Sequence, residues 1–133
     1  MIDAALSAAA ERGQTLMLRI APYGGGENDV PGWYREMVGP KTDWKYNNPV
    51  NKWMVDAEDP RYAGYFGGMI SELGKRYDGH PALEAVDLSI VGAWGEGGGS
   101  ELLTRSTMEK LIDAYTDHFK NTPLIPLLAD EAT

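Results

Sequence analysis

The sequence lacks cysteine altogether, has few basic side chains and contains no long apolar run. Without cysteine there are no disulfides, no thiol nucleophile and no cysteine metal ligands, and the cellular compartment stays open. Only 12 lysines and arginines stand against 20 acidic residues, which gives a formal net charge of −8. Because binding to a phosphate backbone depends on clustered basic side chains, we expect no nucleic-acid partner. No apolar run approaches the roughly 20 residues of a membrane span, so we expect no membrane partner either.

The usual signs of a secretory signal, a metal site and a nucleotide site are also missing. The residues after Met1 are neither basic nor part of an apolar stretch, so no signal peptide is predicted. His80 and His118 lie far apart and outside any H-E-x-x-H motif, and we expect no catalytic metal. The glycine runs at 24–26 and 97–99 follow predicted strands, but neither continues as a dinucleotide fingerprint or a P-loop. We therefore expect no cofactor.

Aromatic residues and glycines are present in unusual proportion. Four tryptophans and seven tyrosines stand against two phenylalanines, and there are 16 glycines among 133 residues. Otherwise the composition, with 43% hydrophobic and 24% charged residues, is that of a globular protein, and the length suits one domain over residues 1–133. Amphipathic aromatics with glycine loops suit a surface that holds polar, ring-shaped ligands, and they also suit ordinary packing.

Apolar spacing and turn residues predict helices that alternate with strands. Asp59 followed by Pro60 is typical of a helix start, and apolar residues recur after it at helical spacing. The predicted helices cover residues 2–12, 31–38, 60–77 and 105–119, and the predicted strands cover residues 15–21, 84–91 and 123–129. Residues 22–59 form a long aromatic-rich loop within the single domain. We expect this loop to be ordered, since long loops in compact domains are usually functional when they are not disordered.

The polarity of the second predicted strand favours part of a (β/α) barrel over an open sheet. Val86, Leu88 and Ile90 would face helices, while Asp87 and Ser89 would face the interior. A barrel strand has this two-sided character, whereas the central strands of open sheets are apolar on both faces. We therefore expect an α/β fold that is a partial TIM (β/α) barrel, with about three parallel strands that belong to a full barrel.

Two further expectations follow from a partial barrel. Arg19 on the first strand would meet Asp87 on the second as a buried ion pair, because a lone buried charge is costly. Three parallel strands cannot close, so both outer strands would leave backbone groups unpaired. We therefore expect the chain to form a homo-oligomer or to pair with the remainder of a larger chain.

Candidate functional residues follow the predicted strands at their carboxyl ends, where barrel enzymes carry their catalytic groups. Glu96 lies among glycines, two positions after Trp94. A carboxyl beside an aromatic in a partly dry pocket can protonate a leaving oxygen, and glycoside hydrolysis uses two carboxyls. On spacing alone, a catalytic Glu96 and a solvated loop glutamate beside structural tryptophans remain equally open. The residues expected to bind substrate are Tyr23, Asp29, Trp33, Trp53 and Trp94.

Four segments of the sequence resemble those of a known protein family. They are RGQTLMLRIAPY, KRYDGHP, the predicted strand VDLSIVG and the ending WGE. With these motifs the chain, chiefly from Asp59 to Leu128, resembles bacterial barrel proteins related to clan A glycoside hydrolases. These include β-galactosidase-like enzymes and uncharacterised secreted barrel domains. The resemblance implies a (β/α)8 barrel, a carbohydrate substrate, an extracytoplasmic parent protein, and Glu96 as general acid/base at the end of the fourth strand. The nucleophile of that clan ends the seventh strand, which would lie outside this chain.

One position departs from the pattern of the clan, and alternatives remain. The clan usually has asparagine directly before this glutamate, where it bonds the sugar 2-hydroxyl, and here Gly95 stands in its place. That contact would come from elsewhere, or the activity is altered or lost. Asp130 and Glu131 after the third strand are expected to be solvated. The runner-up is a carbohydrate-binding or structural barrel piece without catalysis, and the third possibility is an open α/β domain of unrelated function.

Overall fold

The computed structural model describes residues 1–24, 29–39 and 55–127. Four α-helices and three strands lie in these ranges, and a short 3-10 helix covers Ser100–Leu102. In chain order they are α1 (Ile2–Glu11), β1 (Leu16–Leu18), α2 (Gly32–Val38), α3 (Pro60–Tyr77), β2 (Leu83–Leu88), α4 (Arg105–Thr116) and β3 (Leu124–Pro126). The predicted order of helices and strands is confirmed.

The three strands form one parallel sheet in the order β1-β2-β3. The α/β class and the parallel pairing predicted from the sequence are therefore confirmed. All three strands are shorter than predicted. β2 ends at Leu88 because the backbone N–H of Ser89 turns back to the carbonyl of Asp87, at 3.0 Å, instead of continuing the ladder. Pro126, the last residue of β3, has no N–H to donate to a neighbour.

Helices α3 and α4 form the two connections of the sheet and pack against each other. α3 lies between β1 and β2 in the chain, and α4 lies between β2 and β3. The strand order in space equals the order in the chain, and parallel connections are almost always right-handed. Both helices therefore cover the same face of the sheet. Asp59 starts α3 as predicted, since its side chain accepts a hydrogen bond from the backbone N–H of Arg61.

The two faces of the sheet differ in burial. On the helix side Val86 is fully buried, together with Ile70 of α3 and Leu111 of α4. On the opposite side Met17 and Ile125 are 58% and 38% exposed. The predicted two-sided polarity of the second strand is found only in part. Asp87 is half-buried, but Ala85 on the same side and Ser89, just beyond β2, are buried, and Leu88 on the apolar side is only half-buried.

The carboxyl-terminal ends of two helices also differ from the sequence prediction. α1 ends at Glu11 and α4 ends at Thr116, although Phe119, beyond the end of α4, still packs in the core. α2 forms as predicted inside the aromatic-rich segment. Across the described ranges, no helix combines the length and the apolar character that crossing a bilayer requires.

Candidate functional site

The loops that follow β1 and β2 are joined to each other at the carboxyl ends of the strands. Tyr23 and Ala93 form an isolated parallel bridge, and the backbone N–H of Trp94 donates to the carbonyl of Tyr23 at 2.8 Å. The Tyr23 hydroxyl accepts a hydrogen bond from the backbone N–H of Gly92 at 3.0 Å. Tyr23 therefore fixes the position of the loop that carries Trp94 and Glu96.

Trp94 has a backbone conformation that is unusual for a large side chain. Its φ angle is 55°, and among the described residues it is the one non-glycine with a positive φ. The left-handed conformation costs a residue with a Cβ roughly 1–3 kcal/mol, and such strain concentrates at functional positions. The side chain is nevertheless 61% exposed, so burial of the indole does not offset this cost. A strained and exposed tryptophan at a strand end is a strong candidate for ligand contact.

Asp29 and Trp94 approach each other across Gly24. A Cβ added at Gly24 would lie 2.5 Å from Asp29 Oδ2 and 3.5 Å from Trp94 Nε1. A side chain at position 24 would therefore displace the carboxylate. Glycine at this position lets a carboxylate and an indole N–H come together, and both groups can hydrogen-bond a polar ligand.

Glu96 lies on the same loop as Trp94, close to the side chain of Arg19, which follows β1. Its carboxylate is 68% exposed, and Oε1 lies 4.0 Å from Nη1 of Arg19. Arg19 Nε in turn donates to Asp87 Oδ2 at 2.7 Å. The predicted pairing of Arg19 with Asp87 is confirmed, but the prediction that it is buried is wrong, since the Arg19 side chain is 37% exposed. The guanidinium therefore stays in contact with solvent.

The surroundings of Gly95 leave no room for a side chain at this position. Its φ angle is 75°, and an added Cβ would collide with the Ser89 hydroxyl and would contact the backbone of Ala21. The Ser89 hydroxyl donates to the Gly95 carbonyl at 2.9 Å, so the loop is tied down at this point. An asparagine side chain cannot be accommodated here with this backbone. The loop conformation therefore requires glycine at this position.

Two buried tyrosines that the sequence analysis did not single out donate hydrogen bonds to the backbone just after β2. Tyr62 of α3 donates its hydroxyl to the Ile90 carbonyl at 2.5 Å, and Tyr115 of α4 donates to the Ser89 carbonyl at 2.6 Å. Burial raises the pKa of both phenols, so both remain protonated donors. Helical spacing could place these residues on the buried faces, but the hydrogen bonds depend on how the helices meet the sheet.

A pocket of about 290 Å³ opens next to the strand ends, between α2, α3 and the end of β1. Two residues predicted to bind substrate, Asp29 and Trp33, line it, whereas Trp94 and Glu96 do not. The sequence analysis missed Tyr34 and Tyr65, whose rings lie 6.1 Å apart edge to face in its wall. Their spacing follows no motif, because the pocket forms only when α2 packs against α3.

Comparison with family models, curated proteins and solved structures finds no match to this chain. Within the described ranges, no group of three or more histidines and acidic residues is arranged to hold a metal ion. His80 Nδ1 accepts a hydrogen bond from the backbone N–H of Ala82, and His118 Nδ1 lies 2.7 Å from the carbonyl of Ala114.

The predicted site residues thus fall into two neighbouring groups. Tyr23, Asp29 and Trp94 meet at the strand ends, with Glu96 on the same loop. Trp33 lines the pocket, and Asp29 belongs to both groups because it also lines the pocket. Trp53, Asp130 and Glu131 lie outside the described residues, as do residues 25–28 and 40–54 of the predicted loop over residues 22–59.

Proposed function

We propose that this chain belongs to a sugar-processing (β/α) barrel and binds carbohydrate at the carboxyl ends of its strands, with Glu96 as the general acid/base. The observation that carries the proposal is the grouping of Tyr23, Asp29, Trp94 and Glu96 on loops that are hydrogen-bonded to each other. Parallel α/β folds hold their ligands at this edge of the sheet because the loops there converge.

The chemistry of the group suits a neutral sugar. An exposed indole offers a flat apolar face for the C–H groups of a pyranose ring, and its N–H is a hydrogen-bond donor. Asp29 and Glu96 can accept hydrogen bonds from sugar hydroxyls. The strain at Trp94 supports the proposal as well, because the fold maintains this conformation at a position where the side chain is 61% exposed.

The topology supports the barrel part of the proposal. A sheet whose strand order equals the chain order, with both crossover helices on one face, has the arrangement of consecutive strands in a barrel. The opposite face carries the Arg19–Asp87 pair, and polar side chains of this kind fit a barrel interior. An open doubly wound sheet would need helices on both faces.

A catalytic Glu96 needs a second carboxyl across the scissile bond, roughly 5–10 Å away. Asp87 and Glu96 contact the same guanidinium, so their carboxylates lie within about 10 Å of each other. The resemblance instead places the nucleophile at the end of a seventh strand, beyond the three strands that the structure describes. Hydrolysis by this chain alone is therefore expected only if Asp87 can take that role.

A non-catalytic carbohydrate-binding piece is the second candidate, and a specific observation favours it. The Glu96 carboxylate is 68% exposed and does not line the neighbouring pocket, whereas general acids of glycosidases lie in partly dry surroundings. In this alternative Glu96 only accepts hydrogen bonds from the ligand.

Hydrolysis and binding assays on paired variants distinguish these functions. The wild type, Glu96→Gln and Trp94→Ala are assayed on 4-nitrophenyl glycosides and titrated with neutral oligosaccharides of glucose, galactose and mannose. Catalysis predicts hydrolysis that Glu96→Gln abolishes while binding is retained. Binding without catalysis predicts no hydrolysis and at least a tenfold weaker affinity in Trp94→Ala. Wild-type protein that neither binds nor cleaves any of these sugars contradicts the proposal.

A further inference from the structure

The turn between α3 and β2 contains the single Asp-Gly pair of the sequence, Asp78–Gly79. Aspartate followed by glycine is prone to isomerise, because glycine has no side chain to hinder attack by its own backbone nitrogen. In that reaction the Gly79 nitrogen bonds to Cγ of the protonated Asp78 carboxyl, and the carboxyl OH leaves as water with the amide proton. Water then opens the five-membered ring at either carbonyl, which gives aspartate again or isoaspartate.

The segment before β3 holds the Asp78 carboxylate in a form that does not react. The backbone N–H groups of Lys120, Asn121 and Thr122 donate to its oxygens at 2.9–3.2 Å, and the Asn121 side-chain amide donates at 3.1 Å. Burial on its own would raise the pKa of Asp78, but these hydrogen bonds outweigh it and hold the pKa below its usual value. The carboxyl therefore stays ionised, and an ionised carboxyl has no OH to release.

The same segment also holds the attacking nitrogen. The backbone N–H of Gly79 donates to the Thr122 hydroxyl at 2.8 Å, and Thr122 is only 4% exposed. The ψ angle of Asp78 is 125°, which is extended backbone. Ring closure needs the Gly79 nitrogen to eclipse Cβ of Asp78 about the Cα–C bond, and this ψ angle turns it well away. The ring can therefore form only after the backbone rotates and the hydrogen bond to Thr122 breaks.

We propose that Asp78–Gly79 is a latent isoaspartate site, which the Thr122 hydroxyl and the backbone N–H groups of residues 120–122 keep closed in the folded protein. The site opens only when this segment separates from the end of α3, because both reacting groups are bound to it. Local separations of this kind occur in proteins without global unfolding. Isomerisation routes the main chain through Cγ and displaces the carboxylate, so the original contact cannot re-form. The inference is independent of the carbohydrate function.

Comparison of folded and unfolded protein tests whether the fold closes the site. The wild type is incubated at physiological pH and temperature, in buffer and in guanidinium chloride that unfolds it. After digestion with trypsin, electron-transfer fragmentation identifies isoaspartate in the peptide that begins at Tyr77, and Asp87 in the same peptide is the internal control. We expect isoaspartate to accumulate at position 78 at least tenfold faster in the unfolded protein. Equal rates would overturn the inference.

Variants of Thr122 test whether its hydroxyl holds the Gly79 nitrogen. Thr122→Val removes the hydroxyl and keeps the shape of the side chain, whereas Thr122→Ser keeps the hydroxyl. Leu111→Ala removes buried packing in α4 and is the control for lowered stability. In buffer we expect isomerisation at Asp78 to be at least fivefold faster in Thr122→Val than in wild type, and within twofold of wild type in Thr122→Ser.

Two outcomes of this comparison overturn the inference. One is a rate in Thr122→Val equal to that of wild type. The other is a rate no faster than in Leu111→Ala, since the acceleration would then follow from a general loss of stability. Circular dichroism under the incubation conditions shows whether each variant is folded. If Thr122→Val does not fold, hydrogen exchange of the Gly79 amide in wild type decides: protection is expected, and exchange as fast as in an unstructured peptide contradicts the inference.

Discussion

At the scale of single residues, the conformations of the loop after β2 determine which side chains reach a ligand. The sequence predicted Trp94 and Glu96 as candidates from their place after a strand, but it could not predict the backbone strain at Trp94. Nor could it predict that position 95 has no room for a side chain. The strain at Trp94 and the lack of room at position 95 both depend on where Ser89 and Tyr23 contact the loop. Short-range sequence patterns carry no information on such contacts.

The left-handed backbone at Trp94 leads to a stability prediction. Trp94→Gly is expected to be about 1 kcal/mol more stable than Trp94→Ala, because glycine adopts this conformation without a Cβ clash. Both variants remove the indole, so the difference between their free energies of unfolding reports the backbone strain at position 94. Urea unfolding of the two variants measures it. Equal midpoints would show that the backbone at position 94 is not strained in solution.

At the scale of elements, α3 packs so closely against the segment just after α4 that the contact depends on a glycine. A Cβ at Gly74 would lie 2.5 Å from His118 Cβ and 2.6 Å from the His118 carbonyl oxygen. The His118 atoms in this contact belong to the backbone or are attached directly to it, so they cannot move aside as the end of a flexible side chain would. The apolar spacing predicted both helices, yet nothing in the helical pattern distinguished this glycine from Gly64, whose Cβ direction is open.

These two glycines provide a matched pair of substitutions. Gly74→Ala is expected to destabilise the protein by about 1–3 kcal/mol, since the clash outweighs the gain in helix propensity. Gly64→Ala is expected to stabilise it by up to about 1 kcal/mol, because only the propensity changes. Thermal unfolding of both variants against wild type is the measurement. A stabilising Gly74→Ala would contradict the close packing of α3 on His118, just after α4.

Asp78 joins the end of α3 to the segment before β3. Its carboxylate accepts hydrogen bonds from the backbone N–H groups of Lys120, Asn121 and Thr122, at 2.9–3.2 Å. Burial on its own would raise the pKa of Asp78, but these hydrogen bonds outweigh it and hold the pKa below its usual value. A carboxyl with a lowered pKa in the folded state stabilises the fold above its unfolded pKa.

The expected consequence is a dependence of stability on pH that Asp78→Asn removes. At pH 7 this variant should be roughly 1–2 kcal/mol less stable, because hydrogen bonds to a charged acceptor are lost. The unfolded pKa is near 4, so the difference should shrink as pH falls from about 4 towards 2, where the wild-type carboxyl becomes protonated. Urea midpoints measured across this range provide the test. A difference that stays constant from pH 7 to pH 2 would contradict the role of Asp78.

At the scale of the whole molecule, the order of the elements could be predicted from the sequence, whereas the pocket and the open face could not. The spacing of apolar residues indicates whether a segment prefers a helix or a strand. These local preferences agree with the structure at α3, β2 and α4. The pocket results from α2 packing on α3, and Arg19 is exposed on the side of the sheet where Met17 and Ile125 are also exposed. Both depend on contacts between segments that are distant in the chain.

The uncovered face leads to an expectation about assembly. Within the described residues, β1 and β3 each pair on one side only, and Met17 and Ile125 are exposed on the face away from the helices. Unpaired strand edges and exposed apolar side chains favour association. Sedimentation equilibrium over a hundredfold concentration range is expected to show self-association that Met17→Glu weakens. Ala8→Glu, on the exposed side of α1, makes the same charge change and should have no effect. A strictly monomeric wild type would contradict this expectation.

The most direct test of carbohydrate binding at the strand ends is to observe the Trp94 indole N–H while sugar is added. Two-dimensional ¹H–¹⁵N NMR resolves the indole signals, and the spectrum of Trp94→Phe identifies the one that belongs to Trp94. During titration with neutral oligosaccharides, the Trp94 indole signal is expected to shift in a saturable way, together with the backbone amides of Gly24 and Glu96. A Trp94 signal that does not move with any neutral oligosaccharide, in protein whose other signals show it to be folded, would contradict the account.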